Sequence, residues 1–394
     1  MSISRRAALA GLAAAGLLPG LAVARVASRQ GRRFVLVILR GAMDGLSAVA
    51  PLADPDYAPL RGELAIGTPA DPKGAPPLDG RFWLHPALMP LMPFYARGEM
   101  VIVHAMASPY RERSHFDGQT MIETGLIRPV VATPVRGGPG WLNRAIGAMG
   151  GEGIRGIAFT PAMPLVLQGA APASNWQPGP AVANLQEAVL RMYEQDPALR
   201  RAYAEAIATR ELVDSAGKSA PQGRDFRSLA AIAGSTLAEE GGPNVAVLEI
   251  GGWDTHVGQG TAKGRLAGAL GQLAAGLEAM HHGLGPAWND TVVVAVTEFG
   301  RTARQNGTGG TDHGTATAGF ALGGAVAGGR VIADWPGLSM GALYEQRDLA
   351  PTTDLRSFLK GFLGDHLGVT TAALESQVFP QSAAARPLAG LVRR

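Results

Sequence analysis

The chain has 394 residues, 46% hydrophobic and 17% charged, so it carries enough apolar material for a large core and does not read as a disordered tail. Thirty-five Lys and Arg against 32 Asp and Glu leave a net charge of +3, too small a surplus for the electrostatic footprint of a nucleic-acid binder. The absence of cysteine excludes disulfides, thiolate metal sites and thiol nucleophiles.

Residues 1–24 place Arg5 and Arg6 before an uncharged stretch that closes on Ala22-Val23-Ala24, the layout of a cleaved export signal. The stretch is only weakly apolar and contains Pro19. With Ser4-Arg5-Arg6 ahead of it, it resembles the twin-arginine signal that exports folded proteins. Cleavage near Ala24 is expected, which leaves a periplasmic or otherwise exported chain, the twin-arginine translocase as a partner, and no stable membrane anchor. Export in the folded state would allow a metal to be loaded before translocation.

After Arg33 the run FVLVILRG suits a strand buried on both faces of a parallel sheet. Similar runs predict strands at 100–105, 156–159, 244–250, 291–297 and 319–323. Helical patterns fall at 87–98, 114–124, 185–213, 229–239, 262–284 and 353–367. This alternation argues an α/β fold with a mostly parallel central sheet flanked by helices. Residues 169–242 break the rhythm with a long polar helical block and read as a helical insertion beside the sheet. Residues 51–77, rich in Pro, Asp and Gly, read as an irregular surface loop.

In open parallel sheets the crevice lies outside the carboxyl ends of the strands. Here the polar residues that follow the apolar runs include Asp44, the Arg113-Ser114-His115 segment, Asp254 with His256, and Glu298 with Arg301; a Gly-rich loop adds His313. Each has an ordinary explanation alone: a turn for Asp44, a helix cap for Asp254, a solvated edge charge for Glu298, plain surface for His313. Gathered at one sheet edge, they would repel or be costly to desolvate without a cation. Asp44, Asp254, His256, Glu298 and His313 form a mixed oxygen and nitrogen donor set for one or two divalent ions, zinc or manganese, with calcium also open. Ser114, where a loop turns into a helix, is the nucleophile candidate; as an ordinary N-cap it pairs with Asp117 in a capping-box-like pattern. His115 stays open between ligand, general acid and packed side chain. Arg301 and Arg113 could clamp an oxyanion or pair with the carboxylates. His85, His104, His281, His282 and His366 have no comparable setting.

The motifs LRGAMDGL at 39–46, RSHFDGQ at 113–119, GGWDTH at 251–256, VTEFGRT at 296–302 and GTDHG at 310–314 resemble the domain-of-unknown-function 1501 family, twin-arginine-exported members of the alkaline phosphatase and sulfatase superfamily. The resemblance implies an alkaline phosphatase-like domain over 25–394. It places Asp44, Ser114, Asp254 with His256, Glu298 and His313 in the superfamily's metal and nucleophile roles. Two departures stand out: Glu298 is followed by Phe299 rather than His, and Asp254 and His256 are two apart rather than four. The implied activity is metal-dependent hydrolysis of a phosphate or sulfate ester by an activated serine, on a small-molecule or polymer substrate. The alternative is a non-catalytic exported binding or assembly protein that keeps the fold.

Overall fold

The computed structural model describes residues 31–393 apart from 69, 72, 129–136, 151–154, 180–195, 221 and 222. The export segment and part of the 185–213 helical stretch therefore lie outside the described residues. Among the described residues the central sheet has nine strands: β1 (Arg33–Leu39), β2 (Met100–Ala107), β3 (Gly156–Ala158), β4 (Ala173–Asn175), β5 (Val245–Ile250), β6 (Thr291–Val296), β7 (Thr317–Leu322), β8 (Arg330–Ile332) and β9 (Thr353–Asp354). Their order is β8-β2-β7-β6-β1-β5-β3-β4, with β9 also paired to β2. All pairings are parallel except those of β7, which runs antiparallel to β2 and β6. The mostly parallel α/β sheet expected from the apolar runs is what the chain forms.

Residues in a strand alternate between the two faces of the sheet, and β1 shows what that does to packing. Val35, Val37 and Leu39 join one hydrophobic cluster with α5 (Phe226–Ala238) and α6 (Arg265–Leu284). Phe34, Leu36 and Ile38 join a second with α3 (Trp141–Met149) and α7 (Leu355–Asp365). The result is three layers, helix on sheet on helix, which explains why β1 is apolar on both faces. Within 169–242, β4 supplies an edge of the sheet, while α4 (Pro197–Ala216) and α5 follow on the helical side. Among the described residues no helix is long and apolar enough to cross a membrane.

The segment 51–77 is less of a loop than its composition suggests. It forms a helical turn at Tyr57–Arg61, and Arg61 at its end is fully buried. The remaining elements that matter for the site are α1 (Gly45–Ala48), directly after the β1 loop, and α2 (His115–Thr124), after β2. Strands β1, β5 and β6 are parallel neighbours, so the segments Arg40 to Asp44, Gly251 to His256 and Thr297 to Arg301 leave the sheet at one edge.

Candidate metal centre

Two glycines let these segments meet. Gly41 adopts φ of 122°, and a Cβ there would stand 2.9 Å from the Asp254 backbone nitrogen, so only glycine lets the β1 loop lie against the β5 exit. The Gly41 N–H donates to Glu298 Oε1 at 2.9 Å. At Gly310 a Cβ would sit 2.3 Å from the His256 carbonyl oxygen. The GTDHG loop can therefore pair with the GGWDTH segment, Thr311 N–H donating to Thr255 O at 3.1 Å. An antiparallel bridge between Arg301 and His313 closes the arrangement from the other side.

The outcome is a convergence of imidazoles on Asp254. Single donor atoms from His115, Asp254 and His313 all lie within 4.8 Å of one another. His256 adds a fourth group: its Nε2 is 3.0 Å from Asp254 Oδ1 and 3.0 Å from His313 Nε2. His313 Nε2 is 3.3 Å and His115 Nε2 3.5 Å from the same carboxylate. Asp254 and His256, two apart in the segment that leaves β5 through Gly252 at φ 94°, meet through the contact of Nε2 with Oδ1.

The other ring nitrogen of each histidine decides its tautomer. Nδ1 of His115 faces Glu298 Oε1 at 2.8 Å, Nδ1 of His256 faces Asp312 Oδ1 at 3.0 Å, and Nδ1 of His313 faces the Arg113 carbonyl oxygen at 2.9 Å. All three acceptors require Nδ1 to be the protonated nitrogen, so in the neutral rings each Nε2 presents a bare lone pair. Two such lone pairs 3.0 Å apart repel unless a proton or a cation lies between them. His115 Nε2 is buried and has no hydrogen-bond partner. The separations of 3.0–3.5 Å that link the Asp254 carboxylate to the three imidazoles, and His256 to His313, are in the range of donors sharing one ion with metal–ligand bonds of about 2.0–2.1 Å. Three imidazoles and one carboxylate, each imidazole fixed from behind by an oxygen acceptor, fit a zinc-like ion, and three nitrogens disfavour calcium.

The charged groups around the centre are held by burial and by their partners. Burial opposes ionisation of Asp254, but the bond and charge of Arg301 hold its pKa below the usual carboxylate range. Burial likewise works against Glu298, yet bonds from His115, Thr297 and Gln119 keep it ionised and lower its pKa. Hydrogen bonding to Glu298 in turn raises the His115 pKa, whereas burial lowers that of His313. Asp312 is lowered, against a burial penalty, by Asn306 and His256.

The residues singled out in the sequence take different places. Asp254, His256 and His313 point their donor atoms at one another. Glu298 stands behind His115 with both oxygens engaged, by His115, Gly41 and Gln119 on one and Thr297 on the other. Arg301, fully buried, donates to Asp254 Oδ1 at 2.6 Å and to both oxygens of Thr311. Asp44 is elsewhere: its Oδ2 accepts from Arg61, from Gln259 Nε2 at 2.6 Å and from Ser47 Oγ at 2.9 Å. Gln259 ties this buried knot to the centre, its Oε1 accepting from Thr255 and Thr311 at 2.8 Å each. Ser114 is the N-cap of α2, but its side chain makes no cap hydrogen bond; its N–H donates to Tyr110 Oη at 3.0 Å. The sequence leaves the role of His115 open and gives Asp312 no site role. Their signal was adjacency, one beside Ser114 and the other beside His313.

A family model described as protein of unknown function (DUF1501) matches residues 130–379. The chain belongs to that family. The match takes in the Asp254, Glu298 and His313 motifs, while LRGAMDGL and RSHFDGQ precede it. No curated protein matches the chain in sequence. Among solved structures the chain has a distant likeness to the lipoteichoic acid synthase LtaP from Listeria monocytogenes (TM-score 0.41, 10% identity, covering 89% of this chain and 76% of that one). The PsFucS1 sulfatase from Pseudoalteromonas sp. gives 0.38, 15%, 93% and 74%, and the phosphonate monoester hydrolase of Agrobacterium radiobacter 0.35, 13%, 86% and 74%.

Proposed function

We propose that this DUF1501 protein is an exported, metal-dependent hydrolase of a phosphate or sulfate ester on an alkaline phosphatase-like fold. The observation that carries the reading is the convergence of three bare Nε2 lone pairs on the Asp254 carboxylate, each ring fixed through Nδ1. A single divalent ion is the reading favoured over two, because Asp44 and Glu298 spend their oxygens on side-chain and backbone donors.

His115, Asp254, His256 and His313 would hold the ion, with Glu298, Asp312 and the Arg113 carbonyl orienting the rings and Arg301 fixing Asp254. The ion would supply positive charge that polarises the ester and lowers the pKa of a nearby hydroxyl. Ser114 heads α2 with its hydroxyl free of capping duty, beside the first-turn N–H groups that favour an anion. In the proposed reaction its Oγ forms a bond to phosphorus or sulfur as the bond to the leaving alcohol oxygen breaks. The Ser114 proton goes to solvent or to that alcohol, and water then cleaves the Ser114 ester.

The test joins elemental analysis of purified protein with assays on aryl phosphate, phosphodiester and sulfate esters in zinc or manganese. About one equivalent of metal and turnover that disappears in Ser114→Ala, with metal content kept, are expected. Turnover retained in that variant would pass the attack to water. Metal without turnover of any ester would favour the binding or assembly protein. Residues 1–24 are proposed as the twin-arginine signal; export that continues in cells lacking that translocase would remove this part of the reading.

A further inference from the structure

An open pocket of about 280 Å3 shares Asp312 with the residues that support the metal centre. Asp312, which holds His256, lines it, and so does Arg347, whose Nη2 donates to the His313 carbonyl oxygen at 2.8 Å. Arg304, Gln305 and Gln346 add to the polar wall, with Leu343 and the exposed Met340 on its apolar side.

The charges in this pocket are unevenly compensated. Asp312 is the pocket's carboxylate, and its Oδ1 is already taken by His256 and by Asn306 Nδ2. Arg347 faces Asp348 at 3.3 Å, but that carboxylate is shared with Arg113 and with Thr315. Arg304 is exposed, and its guanidinium makes no hydrogen bond or ion pair among the described residues. Two guanidinium groups thus border a hollow larger than a water, whose wall reaches the metal centre through Asp312 and Arg347. Guanidinium forks match planar or tetrahedral oxyanions, and an arginine left without a carboxylate is the group with most to gain from one.

We propose that this pocket receives a second anionic group on the alcohol side of the substrate, a carboxylate or a further sulfate or phosphate, so that the preferred ester carries charge beyond the scissile group. The proposal rests on the ester-hydrolase reading, since it assumes that the scissile group lies at the ion. Arg304 is then a specificity residue that touches the part of the substrate that is not cleaved, while Arg347 both lines the pocket and braces the His313 backbone.

The experiment is calorimetric titration of zinc-loaded protein at low salt with benzylphosphonate and with 4-carboxybenzylphosphonate, repeated in Arg304→Ala and Arg304→Lys. The carboxylated ligand is expected to bind about fivefold to tenfold more tightly, the range of one or two partly exposed charge pairs. The preference should vanish in Arg304→Ala, return in part in Arg304→Lys and shrink at high salt. Equal binding of both ligands in wild type and variant overturns the subsite and leaves the hydrolase reading standing. Equal weakening of both ligands by Arg304→Ala places the arginine on the phosphonate itself and also overturns it. If neither phosphonate binds, the hydrolase reading fails and the subsite falls with it.

Discussion

Asp44 and Asp254 both follow buried strands at the same edge of the sheet, yet their surroundings could hardly differ more. Asp44 is fully buried and saturated by Arg61, Ser47 and Gln259. The Asp254 side chain is 45% exposed and shares its oxygens with Arg301 and the Nε2 atoms of three imidazoles, two of which also face each other. Position at a strand end therefore gathers carboxylates, but the donors around each one decide whether it holds the fold together or is left for a cation. Burial opposes ionisation of Asp44, and the neighbouring Arg61 and Gln259 hold its pKa down all the same.

The largest effect expected from this contrast is structural. Asp44→Ala strands the buried Arg61 guanidinium and should cost about 3–5 kcal/mol in denaturant unfolding. His256→Ala, at a side chain 40% exposed, should change the stability of metal-free protein by about 1 kcal/mol or less. Zinc titration should show the reverse order, with Asp44→Ala retaining affinity to the extent that it folds and His256→Ala losing more than the roughly 10–100-fold typical of outer-shell changes. Equal stability losses in the two variants would erase the distinction between knot and cation site.

A second comparison sets the imidazoles of the site against those of the core. Burial pushes both His104 and His366 down to about 4, and each donates Nε2–H to a backbone carbonyl, of Val49 and Arg33 respectively. The unfolded chain takes up protons near pH 6.5 that these folded rings refuse until about pH 4, so stability is full above that window and is lost as pH falls through it. Each ring contributes up to about 3 kcal/mol to that loss. Unfolding midpoints measured at several pH values between 7 and 4 should fall steadily, and a rise on acidification would contradict the assignment. Smaller still is Glu298→Gln, which keeps an acceptor for His115 Nδ1 but removes its charge; zinc affinity should drop about 10–100-fold, with the metal centre otherwise intact.

How much of this was legible beforehand differs between frame and site for a physical reason. A strand buried on both faces needs an unbroken apolar run, so β1, β2, β5 and β6 are visible in the sequence within a residue or two. Strands β4, β8 and β9, of two or three partly exposed residues each, carry no such run, and α3 was not anticipated. At the site, the sequence tells which strand end a residue follows but not which donors face it. Nothing local to Asp44 announces Arg61, which arrives from a stretch that reads as surface loop, or Gln259, which lies 215 positions away. His115 was equally hidden: its role depends on Glu298 reaching its Nδ1 from another strand.

The smallest expected effect on stability is at Ser114, and it is the one that separates helix from chemistry. A serine that caps a helix through its side chain is worth about 1 kcal/mol when replaced by alanine. Ser114 has the extended backbone of a cap, φ −89° and ψ 127°, but no side-chain bond to the first turn, whereas Asp225 at the head of α5 accepts from Ser228 N–H at 3.1 Å. Ser114→Ala should therefore shift unfolding by about 0.5 kcal/mol or less, against roughly 1 kcal/mol for Asp225→Ala in the same assay. If the Ser114 variant instead loses as much as the Asp225 variant, the hydroxyl serves the helix after all, and the attack on the ester has to be sought elsewhere at the centre.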